Sequence, residues 1–224
     1  MALAIFDLDN TLLSGDSDYL WGQHLVDIGV VDGEAYESSN AQFYEDYKQG
    51  RLDIFAFLRF SLRPLAENDP ADLRLWREEF VHEKIRPLVG AAARELVERH
   101  REAGDTLLIV TATNSFVTSP IAQIFGIDNL IATEPEVREG VFTGQVAGTP
   151  SFREGKVARL REWLQQREHS LQDSSFYSDS HNDLPLLNLV DRPVAVDPDE
   201  ALLAHAQKTG WPVISLHEHA TSVA

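Results

Sequence analysis

The chain has 224 residues, 43% of them hydrophobic, enough to bury the core of one domain with an elaboration. Its 36 acidic residues against 19 Lys and Arg give a formal charge of −17, a field that repels nucleic acid and anionic membranes and excludes both as partners. Cysteine is absent, which excludes disulfides, thiolate metal sites and a cysteine nucleophile. No stretch reaches the length of a membrane span, and the first residues lack the basic start and long apolar run of a signal peptide. A cytoplasmic protein is expected.

From the N-terminus, Leu3–Phe6 reads as a short buried strand that stops in Asp7-Leu8-Asp9-Asn10-Thr11. Between Thr11 and Pro87 only helical patterns follow: Asp16–Ile28, Glu34–Gln49 stopped by Gly50, Leu52–Leu65 and Asp69–Lys84. Beyond that point strands and helices alternate. The strands are Thr106–Val110, Leu130–Ala132, Ser175–Tyr177, Val194–Val196 and Pro212–Ile214. The helices are Ala91–Ala103, Phe116–Phe125, Glu154–Gln166, Leu184–Leu189 and Asp199–Lys208, with a hairpin inside Thr133–Val146 turning near Gly140. This rhythm predicts an α/β fold, a three-layer α/β/α Rossmann-like parallel sheet with an inserted helical cap. The expected division is a catalytic core of 1–14 and 88–224 and a cap of 15–87.

Two aspartates one residue apart at a strand end place both carboxylates on one side of the carboxyl edge, where open α/β sheets bind ligands. Anions that close repel unless a cation lies between them or one is protonated, which predicts metal binding, acid–base work, or both. Three more segments end predicted strands or open helices: Thr111-Ala112-Thr113-Asn114, Gly155-Lys156, and Tyr177-Ser178-Asp179-Ser180-His181-Asn182-Asp183.

In order and spacing these four segments resemble the haloacid dehalogenase-like hydrolase superfamily. The insertion after the first resembles its helical-cap branch, which includes phosphoserine phosphatase. Thr-Ala-Thr-Asn-Ser-Phe (111–116), Gly-Thr-Pro-Ser-Phe-Arg-Glu-Gly-Lys (148–156) and Tyr-Ser-Asp-Ser (177–180) are similar to bacterial members described as histidinol-phosphatases. The resemblance implies a Mg2+-dependent phosphomonoesterase acting on a small phosphorylated metabolite. In that reading Asp7 is the nucleophile that forms an aspartyl-phosphate, and Asp9 is the general acid and base. Thr111 hydrogen-bonds the phosphoryl oxygens, and Lys156 supplies fixed positive charge. Mg2+ would lie among Asp7, the backbone carbonyl of Asp9 and Asp179, supported by Asp183, Asn182 and Thr11. Asp16, Arg59, Thr113 and Asn114 are the implied substrate contacts. An acid at position 9 sorts the chemistry further, because dehalogenases of the superfamily lack it and the transport ATPases carry Thr there.

Plainer readings stand beside these. Asp16 reads equally as the N-cap of the first insertion helix, and Arg59 as a solvated helix residue one turn from Arg63. Phe43, Tyr44 and Tyr47 line a lid pocket or simply fill a core. His181 reads as a flanking residue, and His217 and His219 as parts of a tail. The second motif departs from phosphoserine phosphatase, which has Ser-Gly-Gly where Thr111-Ala112-Thr113 stands. Histidinol phosphate is therefore the first expected substrate and phosphoserine the second. A phosphomutase or phosphotransferase on the same scaffold, and a catalytically silent binding module, are the alternatives from other classes.

Overall fold

The computed structural model describes residues 2–217. Strand β1 (Leu3–Phe6) is followed by a wide turn over Leu8–Leu12, in which Asp9 is extended and Asn10 takes a left-handed conformation with φ 54°. Five helices come next: α1 (Ser17–Asp27), α2 (Gly33–Lys48), α3 (Ile54–Ser61), α4 (Arg63–Glu67) and α5 (Pro70–Phe80). Helix α6 (Ala91–Glu102) then leads into β2 (Thr106–Asn114), α7 (Ser115–Ile124) and β3 (Asn129–Thr133). A hairpin of β4 (Pro135–Arg138) and β5 (Val141–Val146) precedes α8 (Glu154–Arg167). The chain continues through β6 (Ser175–Ser178), α9 (Leu184–Leu187), β7 (Arg192–Val196), α10 (Glu200–Thr209) and β8 (Val213–Ile214).

Six strands form one sheet in the order β3-β2-β1-β6-β7-β8, every pair parallel. β1 lies between β2 and β6, so its carboxyl end opens at the middle of the sheet edge. Alternation along β1 divides the core into two faces. Ala4 and Phe6 join a hydrophobic cluster with Leu96 and Val97 of α6 and Ile121 of α7. Leu3 and Ile5 join another with Leu160 and Trp163 of α8, Leu186 of α9 and Leu202 of α10. These helices cover both faces, as the alternating pattern predicts.

The helical insertion shares the first of those clusters. Trp21, Leu25, Leu62, Leu73 and Phe80 are buried in the same continuous core as Phe6 and Phe116. Aspartates start its helices: Asp16, Asp53 and Asp69 each accept backbone N–H groups of the first turn. One predicted helix, Leu52–Leu65, is two, α3 and α4. Pro64 lacks the N–H that a continuous helix would need and sits in the first turn of α4. The Asp69–Lys84 pattern likewise ends its α-helix at Phe80, and a wider turn over Val81–Ile85 carries the chain to Pro87. The predicted hairpin turns on Glu139 and Gly140, both with positive φ (51° and 84°), as a two-residue hairpin loop requires. Among the described residues no helix is long and apolar enough to cross a membrane.

His24 is buried between Trp21 and Phe80, and its Nε2 donates to the Trp76 carbonyl at 3.1 Å. Burial holds its pKa below the ordinary 6.5, against the pull of Glu79. Between the lowered value and 6.5 the unfolded chain binds a proton that the folded one does not, so stability falls as pH drops through that window. In urea melts between pH 7 and 5, a His24→Gln variant should lose less stability with acidification than the native chain; an identical slope would remove His24 as the cause.

Candidate active site

The strand order brings the four motif segments to one edge. Asp7 ends β1 in extended conformation, its N–H bonded to the Tyr177 carbonyl of β6 at 2.9 Å. Lys156, in the first turn of α8, donates from Nζ to Asp7 Oδ1 at 3.0 Å and to Asp183 Oδ2 at 2.8 Å. All three side chains are withdrawn from solvent, the residues being 3%, 2% and 2% exposed. Ser178 Oγ also donates to Asp183 Oδ2 at 2.7 Å. Asp183 is thus spent on orienting Lys156.

Gly155 makes that placement feasible. A Cβ at this position would collide with the Pro150 carbonyl, so no other residue fits between the loop and α8. Arg153, two residues earlier, is held at φ 49° and reaches out of the loop. Its guanidinium donates to Asn182 Oδ1 from Nε at 2.9 Å and also to the Gly50 carbonyl after α2. Asn182 Nδ2 donates to the Tyr47 carbonyl at 3.1 Å. Asn182 therefore does not touch the acidic centre; with Arg153 it straps the end of α2 to the sheet edge. Arg153 lies in the 148–156 segment whose likeness the sequence shows, but its contact with the end of α2 follows only from the fold.

Asp9 sits opposite Asp7 and is held from both sides. Ser17 N–H, at the start of α1, donates to Oδ1 at 2.7 Å, and Thr113 Oγ1 donates to Oδ2 at 2.7 Å. Thr111 Oγ1 lies at 3.4 Å from the same Oδ2 and accepts the Thr113 N–H at 3.2 Å. Thr113, expected to touch substrate, lines the pocket but turns its hydroxyl to Asp9. Asn114 is not placed for substrate: its side chain caps α7, accepting the Val117 N–H at 3.2 Å. Thr11 exchanges hydrogen bonds with Asp179, donating to Oδ1 and accepting the Asp179 N–H, both at 3.0 Å.

Electrostatics mark the centre as short of positive charge. Burial pushes Asp7 up to about 8 against the pull of Lys156, and Asp183 and Asp9 add to the rise. Burial, then Asp7 and Asp183, raise Asp179 well above the carboxylate range. Burial alone would lower Lys156, but Asp183 and Asp7 override it and hold the ammonium charged. Two buried carboxylates, Asp7 and Asp183, face one ammonium, and the half-buried Asp179 interacts with both, so acids outnumber the fixed cation in a way that a hard divalent cation with oxygen ligands would balance. Among the described residues no three His, Cys, Asp or Glu side chains converge as a metal cage. The expected set needs fewer, two carboxylates and a carbonyl, and the donors present fit it.

A cleft opens from this centre towards the helical insertion. Asp7, Asp9, Thr111 and Lys156 form its floor; Asp16, Asp18 and Tyr19 of the α1 turn form one side. Phe43, Tyr44 and Tyr47 of α2 and Phe57 of α3 form the roof, so the aromatic stripe of α2 faces the pocket. Asp16 fulfils both readings: it caps α1, accepting from Asp18 and Tyr19 N–H groups, and it lines the pocket. Arg59 is an exposed residue outside that lining, because the turn of α3 that buries Leu58 carries it to solvent. His181 pairs with Asp199 at 2.7 Å. His217 is no loose tail: its Nε2 donates to the Thr11 carbonyl at 3.1 Å. His219 lies outside the described residues.

The sequence pattern of the haloacid dehalogenase-like hydrolases matches residues 4–188. The chain belongs to that family. It is 48% identical to a histidinol-phosphatase of Neisseria meningitidis serogroup C, over 95% of this chain and 98% of that one. A protein of unknown function from Bordetella pertussis Tohama I superposes with a TM-score of 0.91 at 47% identity, covering 96% and 99% of the two chains. A substrate-bound phosphoserine phosphatase shares the fold, with a TM-score of 0.71 at 17% identity over 96% and 93%. The four segments singled out in the sequence all fall within the matched residues.

The Arg153 strap yields a direct expectation. Arg153→Ala should speed hydrogen exchange around residues 47–53 at least fivefold while leaving the amides of β1 and β2 unchanged; uniform exchange across both regions would deny the strap its role.

Proposed function

We propose that the chain is a Mg2+-dependent phosphomonoesterase that works through an aspartyl-phosphate on Asp7, with histidinol phosphate as substrate. The observation carrying the chemistry is the buried Asp7–Lys156–Asp183 triad with Asp9 held opposite. In the first step an Asp7 carboxylate oxygen attacks phosphorus as the ester P–O bond breaks, and Asp9 gives its proton to the departing alkoxide. In the second, Asp9 takes a proton from water, whose oxygen attacks phosphorus and frees Asp7 and inorganic phosphate. Lys156 and the Thr111 hydroxyl neutralise the phosphoryl oxygens throughout. Bound Mg2+, held by Asp7, Asp179 and the Asp9 carbonyl, would supply Lewis-acid stabilisation of those oxygens. The helical segment 15–87 acts as the lid that closes this centre from water.

The lining of the pocket favours histidinol phosphate. Among the described lining residues Lys156 is the one cation, and it is committed to Asp7 and Asp183. Phosphoserine would bring a carboxylate against Asp16 and Asp18 with Arg59 turned to solvent, an uncompensated repulsion. An amine meets Asp16, and an aromatic ring meets Phe43, Tyr44 and Phe57. The 48% identical Neisseria relative, named for that activity, supports the same substrate.

A screen of phosphorylated metabolites for phosphate release tests the substrate, with histidinol phosphate expected to lead phosphoserine by tenfold or more in kcat/KM, about 1.4 kcal/mol. Asp7→Asn should abolish turnover and keep the far-UV spectrum; substantial activity in that variant would contradict the covalent route. Mg2+ should raise the Tm of the native chain by several degrees through mass action, and Asp179→Ala should remove that shift. An undiminished shift in Asp179→Ala would place the ion elsewhere.

A further inference from the structure

The C-terminal end of the described chain reaches back to the first motif. After β8 the backbone folds over the carboxyl edge of the sheet, where Asp197, just past β7, gathers it. Asp197 N–H donates to the Ile214 carbonyl at 3.0 Å, and its Oδ2 accepts the Leu216 and His217 N–H groups at 2.8 and 3.2 Å. It does so at φ 40°, a left-handed conformation that a residue with a Cβ adopts only at a cost. Leu216 is buried in the cluster that contains Phe6, which fixes the course of the segment. His217 is thereby held between two acceptors. Its Nδ1 lies 3.3 Å from Asp197 Oδ2, and its Nε2 donates to the Thr11 carbonyl at 3.1 Å.

Thr11 is the residue that this contact serves. It is fully buried, in the wide turn after β1 whose Asp9 is extended and whose Asn10 is left-handed. A buried carbonyl in so irregular a turn needs a donor, and His217 brings one from 206 residues away. The Thr11 side chain faces the acidic centre, donating from Oγ1 to Asp179 Oδ1 and accepting the Asp179 N–H, both at 3.0 Å. A displacement of Thr11 is therefore a displacement of Asp179. We propose that His217 is a positioning residue that holds the Asp179 carboxylate in place for a divalent cation by fixing the Thr11 backbone. The inference rests on the phosphatase reading for the cation and adds the group that braces its ligand from behind. Outer partners of this kind set how tightly a metal is bound, because a carboxylate already aimed loses less freedom on binding. Anchoring of the C-terminal segment is the plainer role for His217, and it would leave metal affinity alone.

Calorimetric Mg2+ binding to the full chain without substrate tests this, alongside hydrogen exchange at the Asp179 amide. His217→Ala should weaken Mg2+ binding about fivefold, and Thr11→Val, which cuts the contact to Asp179 itself, about tenfold or more. His217→Gln keeps an amide N–H near the Nε2 position and should stay within about twofold of the native chain. Because both residues act along one route, the His217→Ala, Thr11→Val double variant should bind Mg2+ as Thr11→Val does. Losses that multiply would put His217 on another route and overturn the proposal. Without metal, His217→Ala should speed exchange of the Asp179 amide about fivefold, since that N–H is bonded to Thr11 Oγ1. A merely anchoring His217 would lower Tm and leave both the Mg2+ affinity and the Asp179 amide unchanged, which also overturns the proposal. Mg2+ binding and phosphate release by the native chain decide the phosphatase reading separately. A native chain that bound no Mg2+ would sink that reading; faster Asp179 exchange in His217→Ala would still support the brace, and unchanged exchange would overturn it.

Discussion

One buried ammonium organises the molecule. Lys156 lies between Asp7 and Asp183, and each carboxylate reaches it from a different part of the sheet edge. Removing either partner would strand a charge out of water, at a cost on the order of several kcal/mol. The three elements that bear these residues are therefore constrained to converge. β1 must end beside β6, α8 must begin beneath both, and the loop before α8 must pass close enough that only Gly155 fits against Pro150. The parallel order with β1 central satisfies all three conditions at once.

The same constraint fixes one positive point in a strongly acidic chain. Positive charge at the centre is concentrated rather than abundant: one fixed ammonium, with a cluster of carboxylates suited to a divalent cation. Asp9 is set apart from that cluster by its partners. The N-terminus of α1 and the Thr113 hydroxyl hold its two oxygens, so Asp9 is positioned by the insertion and by the sheet together. The insertion is accordingly no detachable lobe. Its Trp21, Leu62 and Phe80 are buried in one hydrophobic cluster with Phe6 of β1, and Arg153 with Asn182 ties its second helix to the loop edge.

The pocket has two kinds of lining along its length. Asp7, Asp9, Thr111 and Lys156 give one part charge and proton donors, while acids of α1 and aromatic faces of α2 and α3 line the rest. Among the described lining residues no second cation would offset a second negative charge on a ligand.

The sequence by itself determined the α/β class, the order of elements and the four segments that meet at one sheet edge. Those follow from local rules: strands of alternating or continuous apolar residues, helices with Asp caps, and acids stationed where strands stop. The places of Asp7, Asp9, Thr111, Lys156 and Asp179 at the sheet edge were legible for that reason, since each follows from a strand end or a helix start. The substrate end was not. Asn114 and Arg59 matched by position along the chain, yet one caps a helix and the other faces solvent, because helix phase and packing decide where a side chain points. Arg153 stands in a segment of recognisable pattern, but nothing in that pattern told what it touches. Its strap exists only where segments distant in the chain meet, at the Gly50 carbonyl and the Asn182 side chain. Tertiary packing alone makes those meetings, because burial and directional hydrogen bonds are properties of the assembled surfaces and not of either segment.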